Sequence, residues 1–403
     1  MTVIALLNVE NDPHVVADTM LSAEGEDTRV NKTVWLPSLG QVQSTFGSEG
    51  NPWHIVRLAR KTFFLPNHGG VLAFAGDCKA AFGFWKELSA NIMTIAGYQP
   101  GLDIDREMIE RAIGRSDGTS FNLLGVIKNA KGQWEVFTHN KHQVFVTETF
   151  GTCYLAGSGS ELLRAKILQR DLANQYNRSQ VKYRIGPTEN LAEGLSSDLL
   201  YAESDSNNGL SDATSYGCGG FYEWYRVVEG GVKMSSPRLD IHISESNGKP
   251  VITRLYLVEA LKQKESRIEP IPVTMYSVMV MSLILDPSVP LENSFGSWSL
   301  SAPDPHSVLI QPTFKLYSDK QTDGRLSGPV SNEVLDEFFG QPVAIKRIRL
   351  TCSVNGIAIA RSLSRLPGER EVLATLAYEN DRLEVSLSSN VVEVAKKILS
   401  RET

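Results

Sequence analysis

The sequence has little of what marks secreted, metal-binding or membrane-spanning chains. It has only four cysteines in 403 residues, with no CxxC pair and no zinc-site spacing. The longest apolar run, residues 273–285, is interrupted by serine and is too short to span a bilayer. No basic segment precedes the apolar start of the chain, so no signal peptide is predicted. We therefore expect a soluble cytoplasmic protein with free thiols, no metal site and no membrane partner.

Charge of one sign is not concentrated anywhere in the chain. The 40 Lys and Arg residues are spread along it against 46 Asp and Glu, for a net charge of −6. Without a basic block, no nucleic-acid partner is expected, and no motif predicts a cofactor. The length favours two domains. We place the boundary where prolines become frequent, giving one domain at 1–255 and a β-rich domain of unassigned role at 256–403.

Apolar patterning predicts helices that alternate in pairs with groups of strands. Residues 3–9 are nearly all apolar, as in a strand covered on both faces, and 14–19 form its returning partner. Residues 38–70, rich in Ser, Gly, Asn and Pro, are predicted to be mainly irregular, with a short helix at 54–61. Further helices are predicted at 79–98, 105–113, 161–174 and 188–202. This order indicates an α/β fold with helices layered on antiparallel sheets.

Thr2 offers a distinctive chemistry if Met1 is removed. Its Oγ would be the nucleophile, and its free α-amine, which titrates at about 7.7–8.0 when unperturbed, would be the base. Many ordinary chains begin Met-Thr, so the residue carries little weight by itself. Two nearby residues suit the role: Asp18 closes the returning strand, and Lys32 follows on the next segment. The alternatives are a solvated carboxylate at a strand end and an ordinary surface lysine, with Thr33 competing for the lysine's position.

Two glycine-containing turns could complete such a site. Gly76 ends a buried strand directly before an apolar helix, where its N–H could approach a reacting oxygen closely. Residues 157–160 read Gly-Ser-Gly-Ser ahead of another helix. The alternative for Ser160 is a helix N-cap. The second turn does not match a dinucleotide-binding fingerprint, because Leu162 stands where the third glycine is required.

These features together resemble the proteasome β-subunit family. Residues 2–6 and 15–19 resemble the start of proteasome β-type subunits and of the simpler bacterial proteasome-like protease. Asp212 and Ser215 resemble the family's Asp-x-x-Ser motif, and the likeness covers residues 2 to about 245. The sequence departs from the family by about thirty residues inserted ahead of Gly76 and by a longer segment before Asp212.

The resemblance implies a four-layer αββα sandwich of two antiparallel sheets, with the β-rich domain appended. It also implies a role for each site residue. Thr2 is the nucleophile and Gly76 N–H stabilises the oxyanion. Asp18 and Lys32 tune Thr2, while three further side chains orient it: Ser160, Asp212 and Ser215.

The implied function is that of an N-terminal-threonine hydrolase that cleaves peptide or amide bonds. By resemblance, such a chain self-associates, with a ring as one arrangement, and takes polypeptide or amide substrates. The C-terminal domain would then contact a regulatory partner. Two alternatives remain open: an amidase that acts on a small molecule, and a non-catalytic scaffold or assembly subunit.

Overall fold

The structure is a computed structural model of the chain. The residues that it describes are 2–66, 69–99, 104–177, 187–204, 218–234, 237–246, 249–262, 276–284, 298–303, 306–310, 327–354, 357–364, 371–380 and 382–400. Within these ranges the structure has 26 strands and six helices.

The first strand lies in the middle of a six-stranded antiparallel sheet. The strands of this sheet, in spatial order, are β12 (Gln143–Thr147), β13 (Gly151–Ala156), β1 (Ile4–Leu7), β2 (His14–Asp18), β14 (Tyr222–Val228) and β15 (Gly231–Lys233). The β1–β2 pairing is the predicted hairpin, with Ile4 opposite Ala17 and Leu7 opposite His14. The start of β1 is therefore held between β2 and β13, so Thr2 begins at a fixed position.

A second antiparallel sheet carries Gly76. Its strands, in spatial order, are β11 (Trp134–His139), β10 (Phe121–Lys128), β9 (Gly70–Gly76) and β8 (Thr62–Leu65). The helices α1 (Cys78–Tyr98) and α2 (Arg106–Gly114) follow β9. Asp77 caps α1 by accepting the N–H of Ala80, which ends the strand and starts the helix within one residue.

Strand β1 is apolar throughout because both of its faces are covered. Ile4 and Leu6 share a buried cluster with Val71 and Ala73 of the second sheet. On the opposite face, a separate cluster joins β1 to the helices α3 (Ser160–Asn177) and α4 (Pro187–Ser204). A strand buried on both faces gains stability from every side chain, at about 25 cal/mol per Å² of apolar surface.

Residues 20–58 form strands rather than an irregular insertion. These strands are β3 (Met20–Glu24), β4 (Thr33–Leu36), β5 (Gly40–Gln43), β6 (Thr45–Ser48) and β7 (Asn51–Leu58). They make a three-stranded sheet in the order β3-β7-β6 and the β4–β5 hairpin. The helix predicted at 54–61 is wrong, because residues 53–58 pair with β3 across a β-bulge. Long-range pairing decided the conformation of a segment whose local pattern was ambiguous.

The C-terminal half adds two sheets around their own apolar core. The seven-stranded sheet, in spatial order, has β21 (Ser327–Pro329), β20 (His306–Ile310), β18 (Tyr276–Ile284), β17 (Lys249–Lys262), β16 (Arg238–Ser246), β23 (Arg347–Val354) and β24 (Ile357–Ser364). The four-stranded sheet has β19 (Trp298–Pro303), β26 (Arg382–Leu387), β25 (Ala374–Glu379) and β22 (Val343–Ile345). The two C-terminal helices are α5 (Asn332–Phe338) and α6 (Ser389–Leu399). The boundary placed at 255/256 falls inside β17.

The C-terminal half packs directly on the site-bearing half. Tyr256 of β17 belongs to the same buried cluster as helices α3 and α4. Val258 and Val280 pack with Met20 and Leu58 of the strand insertion. The inserted strands therefore lie between the two halves, and their core is shared.

The predicted fold class, a layered α/β sandwich of αββα type, is wrong. Strands account for 49% of the described structure and helices for 27%, spread over many small sheets, so the chain is mostly β. The excess of strand comes from two regions: the inserted strands at residues 20–58 and the two sheets beyond residue 237.

None of the helices in the described ranges is both long enough and apolar enough to cross a membrane.

Candidate active site around Thr2

Thr2 lies at the entrance to β1 and is fixed on both sides by its neighbours. It is 6% exposed. The backbone nitrogen of Thr2 donates to Ser158 Oγ at 3.0 Å, and the N–H of Gly159 donates to the Thr2 carbonyl at 3.1 Å. The next residue is held as firmly, because Val3 N–H donates to Asp18 Oδ1 at 2.9 Å. These backbone hydrogen bonds fix the main chain at Thr2 and so place its hydroxyl.

Asp18 lies at the end of β2 and is completely buried. Its carboxylate accepts hydrogen bonds from Val3 N–H and from Gly219 N–H, the latter at 3.3 Å. Lys61 Nζ also donates to Asp18 Oδ1, at 2.8 Å. A buried carboxylate needs such donors and a counter-charge, because an unpaired charge is costly to bury.

Lys61, rather than Lys32, is the lysine that contacts Thr2. Lys61 Nζ donates to Thr2 Oγ1 at 2.9 Å while it also contacts Asp18 Oδ1, and the residue is 0% exposed. Lys32 is exposed, and its carbonyl accepts the N–H of Ser44 within the strand insertion. The predicted assignment of Lys32 is therefore corrected to Lys61. The inserted strands explain the difference, since they separate the hairpin from its lysine along the chain.

A second buried network fixes the backbone at Lys61. Glu223 Oε1 accepts the Lys61 N–H at 3.1 Å and the Thr62 hydroxyl at 3.0 Å. Arg60 Nε donates to Glu223 Oε2 at 2.8 Å, and the Tyr225 hydroxyl donates to the same oxygen. Burial raises the pKa of Tyr225 well above its ordinary value, so this phenol acts as a neutral donor. Sequence reasoning missed Lys61 and Glu223; the one local signal was an Arg-Lys pair standing directly before an apolar strand.

Gly76 lies beside the cavity at Thr2 and has φ of +101°, which favours glycine. A Cβ there would approach the carbonyl oxygen of Ser120 to 2.7 Å. Gly76 is opposite Phe121 in the ladder, and the next N–H, that of Asp77, donates to Ser120. In an antiparallel ladder of this register, Gly76 turns its own N–H away from β10. The Gly76 N–H therefore points to the side of β9 opposite β10.

The turn at 157–160 presses against the Thr2 backbone. Gly157 has φ of +98°, and a Cβ on it would lie 2.3 Å from the Thr2 carbonyl oxygen. Ser160 Oγ donates to the Gly157 carbonyl at 2.5 Å. This bond stabilises the turn and does not involve Thr2. Ser158, which sequence reasoning did not select, makes the direct contact with Thr2. Asp212 and Ser215 lie outside the described residues.

Glu203, at the end of α4, forms a buried connection behind Asp18. It accepts the Ser38 hydroxyl at 2.5 Å and the Gly220 N–H at 3.2 Å. Gly219, the neighbour of Gly220, donates its own N–H to Asp18. Burial raises the pKa of Glu203 to about 7, despite the hydrogen bonds that lower it. The carboxyl therefore changes its protonation near neutral pH at a point that links α4, the β4–β5 hairpin and the Asp18 loop.

A cavity of about 660 Å³ gives access to this centre from solvent. Its wall includes Thr2 and Gly76 on one side and the turn between β11 and β12 on the other. Besides Thr2, the polar residues on its wall are Asn122, Lys141, His142, Gln143, Ser158 and Ser160. Among the described residues, no group of three or more His, Cys, Asp or Glu side chains is placed to hold a metal ion.

Comparison with known proteins adds no identity to this site. No family model matches the chain, and no curated protein matches it.

Proposed function

We propose that the protein is an N-terminal-threonine hydrolase that cleaves peptide or amide bonds. The observation that carries the proposal is the buried contact of one lysine with both Thr2 Oγ1 and Asp18 Oδ1, at 2.9 and 2.8 Å. A buried lysine whose ammonium points at a hydroxyl lowers the cost of forming the alkoxide there. The open cavity beside the same hydroxyl supplies room for a substrate.

The reaction begins only after the bond between Met1 and Thr2 has been cleaved. That cleavage turns the Thr2 nitrogen, now a peptide nitrogen bonded to Ser158 Oγ, into a free α-amine. The positive charge of Lys61 favours the neutral form of this amine, because two ammonium groups so close repel each other. The neutral amine then accepts the proton from Thr2 Oγ, directly or through one water.

Thr2 Oγ attacks the substrate carbonyl carbon and forms a tetrahedral intermediate. Gly76 N–H, turned away from β10, is the proposed donor to its oxyanion. The intermediate collapses when the amine leaves with the proton held by the Thr2 α-amine, which produces an acyl-enzyme ester. Water attacks the ester with the α-amine again as base, releasing the acid and restoring Thr2 Oγ–H. Asp18 holds Lys61 throughout, and Ser158 orients the α-amine.

Incubation of the purified chain with a mixture of unmodified synthetic peptides tests this function. New termini, read by mass spectrometry, should appear with the wild-type protein and be absent with Thr2→Ala. Wild-type protein that retains Met1 and leaves every peptide intact would contradict the proposal and favour a non-catalytic scaffold subunit. Turnover of small amides without peptide cleavage would favour the amidase.

We also propose that the chain acts in the cytoplasm and assembles with copies of itself, on the basis of its resemblance to proteasome β-type subunits. Light scattering coupled to size-exclusion chromatography measures the assembly directly. A monomeric mass at micromolar concentration would contradict self-association and would leave the hydrolase proposal standing on the Thr2 centre alone.

A further inference from the structure

In the part of the chain that the structure describes, the wall of the cavity beside Thr2 carries a lysine and no carboxylate. Lys141 contributes an exposed ammonium from the turn before β12. Among the described residues the wall contains no Asp or Glu, and Asp18, the carboxylate behind Thr2, is already paired with Lys61. A substrate group entering this cavity therefore meets the exposed ammonium of Lys141.

One neutral donor reinforces the same preference. The side-chain amide of Asn122, on the strand next to Gly76, lines the cavity, as does the imidazole of His142. His142 Nδ1 donates to the Asn140 carbonyl at 2.9 Å, so Nε2 is an acceptor in the neutral ring and a donor only in the imidazolium. Ammonium, amide and imidazolium N–H groups bind carboxylates in proteins.

Glu161, the residue after Ser160 of the cavity wall, is bonded to another wall residue. Glu161 Oε1 accepts the side-chain amide of Gln143 at 2.6 Å. This bond holds the Gln143 amide nitrogen on the α3 side, and Glu161 is not part of the cavity wall. Among the described wall residues, Lys141 is the only Lys, Arg, Asp or Glu.

We propose that this cavity selects substrates that carry a carboxylate next to the scissile bond. The inference rests on the proposed hydrolase function, and it adds the chemical class of the substrate. The carboxylate comes either from an acidic side chain or from the free C-terminus of a short peptide, and both present the same group to Lys141.

The test uses internally quenched peptides in which each position in turn is Glu, Gln or Lys. Every peptide is made both as the free acid and as the C-terminal amide. The proteins compared are wild type, Lys141→Glu and Lys131→Glu. Lys131 is the matched control, because it is an exposed lysine on the β10–β11 turn and is not on the cavity wall. Binding of the same peptides to Thr2→Ala is followed by fluorescence anisotropy.

We expect kcat/KM to favour Glu over Lys at one position by about fivefold in wild type. Lys141→Glu should invert the preference, and Lys131→Glu should keep it. A preference for Glu over Gln within the amides identifies an acidic side chain, whereas a preference for free acids over amides identifies the C-terminus. Cleavage with no acidic preference, or with a preference that Lys141→Glu leaves intact, would overturn the inference while the hydrolase function stands.

The binding arm separates the two proposals when no peptide is cleaved. Tighter binding of acidic peptides to Thr2→Ala that is lost on adding Lys141→Glu supports the carboxylate site and rejects hydrolysis. Equal binding of acidic and basic peptides, or no binding of either, without cleavage rejects both.

Discussion

Two buried networks of paired acidic and basic residues in this molecule serve different ends. Around Thr2, Lys61 and Asp18 are buried together and their contacts converge on one hydroxyl beside an open cavity. Between α4 and the seven-stranded sheet, Arg347 pairs with Glu193 and Glu189, which lie on the same face of the helix. The second network joins two parts of the chain and contacts no nucleophile in the described structure.

The difference shows that a buried ion pair does not by itself identify an active site. Burial of a charge costs free energy in both places, and both networks offset that cost with a partner. Only the Lys61 network adds a hydroxyl group and access for a substrate. Substitutions in the first network should therefore change catalysis, and substitutions in the second should change only stability.

The largest effect is expected for Thr2→Ala. Removing the nucleophile should lower kcat by at least about 10³-fold, because the remaining binding and oxyanion contacts support little turnover. Thr2→Ser, which keeps the hydroxyl, should retain measurable activity. Steady-state peptide hydrolysis gives the comparison, and Thr2→Ala activity within tenfold of wild type would exclude Thr2 as the nucleophile.

Lys61→Ala should be the next most harmful change. It removes the cation at Thr2 Oγ1 and should lower kcat/KM by about 10²-fold or more. It also leaves Asp18 buried without its counter-charge, so the free energy of unfolding should fall by about 3 kcal/mol.

The control for this variant is Lys32→Ala, which alters an exposed lysine. Its unfolding free energy should stay within about 0.5 kcal/mol of wild type, with unchanged kcat/KM. Denaturant titration and peptide hydrolysis measure the two quantities. Equal losses of activity in both variants would contradict the assignment of Lys61.

Arg347→Met tests the second network. Glu193 is fully buried and would lose its guanidinium partner, so the free energy of unfolding should fall by about 3 kcal/mol. The kcat/KM of the folded protein should not change, because the described contacts of Arg347 are with Glu189 and Glu193 of α4 and with the ring of Trp224. Arg226→Ala is the matched control: its side chain is 44% exposed and its pairs should contribute no more than about 1 kcal/mol. A loss of activity in Arg347→Met, measured under conditions where the variant is fully folded, would contradict the claim that the second network affects stability alone.

Glu203 provides a pH-dependent test with a smaller effect. Its pKa is raised by burial to about 7 in the folded protein, against an ordinary value of 4.5, so between these pH values the folded state holds a proton that the unfolded state has lost. The contribution of Glu203 to stability should therefore fall as pH rises from about 4.5 to about 7, by up to about 3 kcal/mol. Glu203→Gln should remove this part of the pH dependence. Denaturant titrations at pH 5 and pH 8 give the change in the free energy of unfolding with pH. The same change in wild type and in Glu203→Gln would contradict the raised pKa.

Local patterns in the sequence were enough to place the elements that carry most of the site. The apolar runs gave the β1–β2 hairpin, and the helix predicted at 188–202 corresponds to α4 at Pro187–Ser204. Gly76 and the turn before Ser160 lie at the ends of strands, as predicted, because Gly followed by a helix cap is a local signal.

The lysine and the overall fold class required information that no local pattern holds. Lys61 reaches Thr2 because β3 pairs with β7 and closes the insertion between them, which brings residues 59 positions apart into contact. The Ser- and Gly-rich pattern of that insertion indicated loop, and pairing between distant strands overrode it. The same reason explains why the C-terminal sheets were predicted only as a β-rich region, since their strand order depends on the distant pairings β16–β23 and β19–β26.

The most direct test of the Thr2 centre is intact-mass analysis with and without a β-lactone, which acylates nucleophilic hydroxyls by ring opening. We predict that wild-type protein lacks Met1 and gains the full mass of one lactone, mapped to Thr2 by fragmentation. Lys61→Ala should gain it far more slowly, and Lys32→Ala at the wild-type rate. Complete retention of Met1 with no adduct on Thr2 would contradict the account.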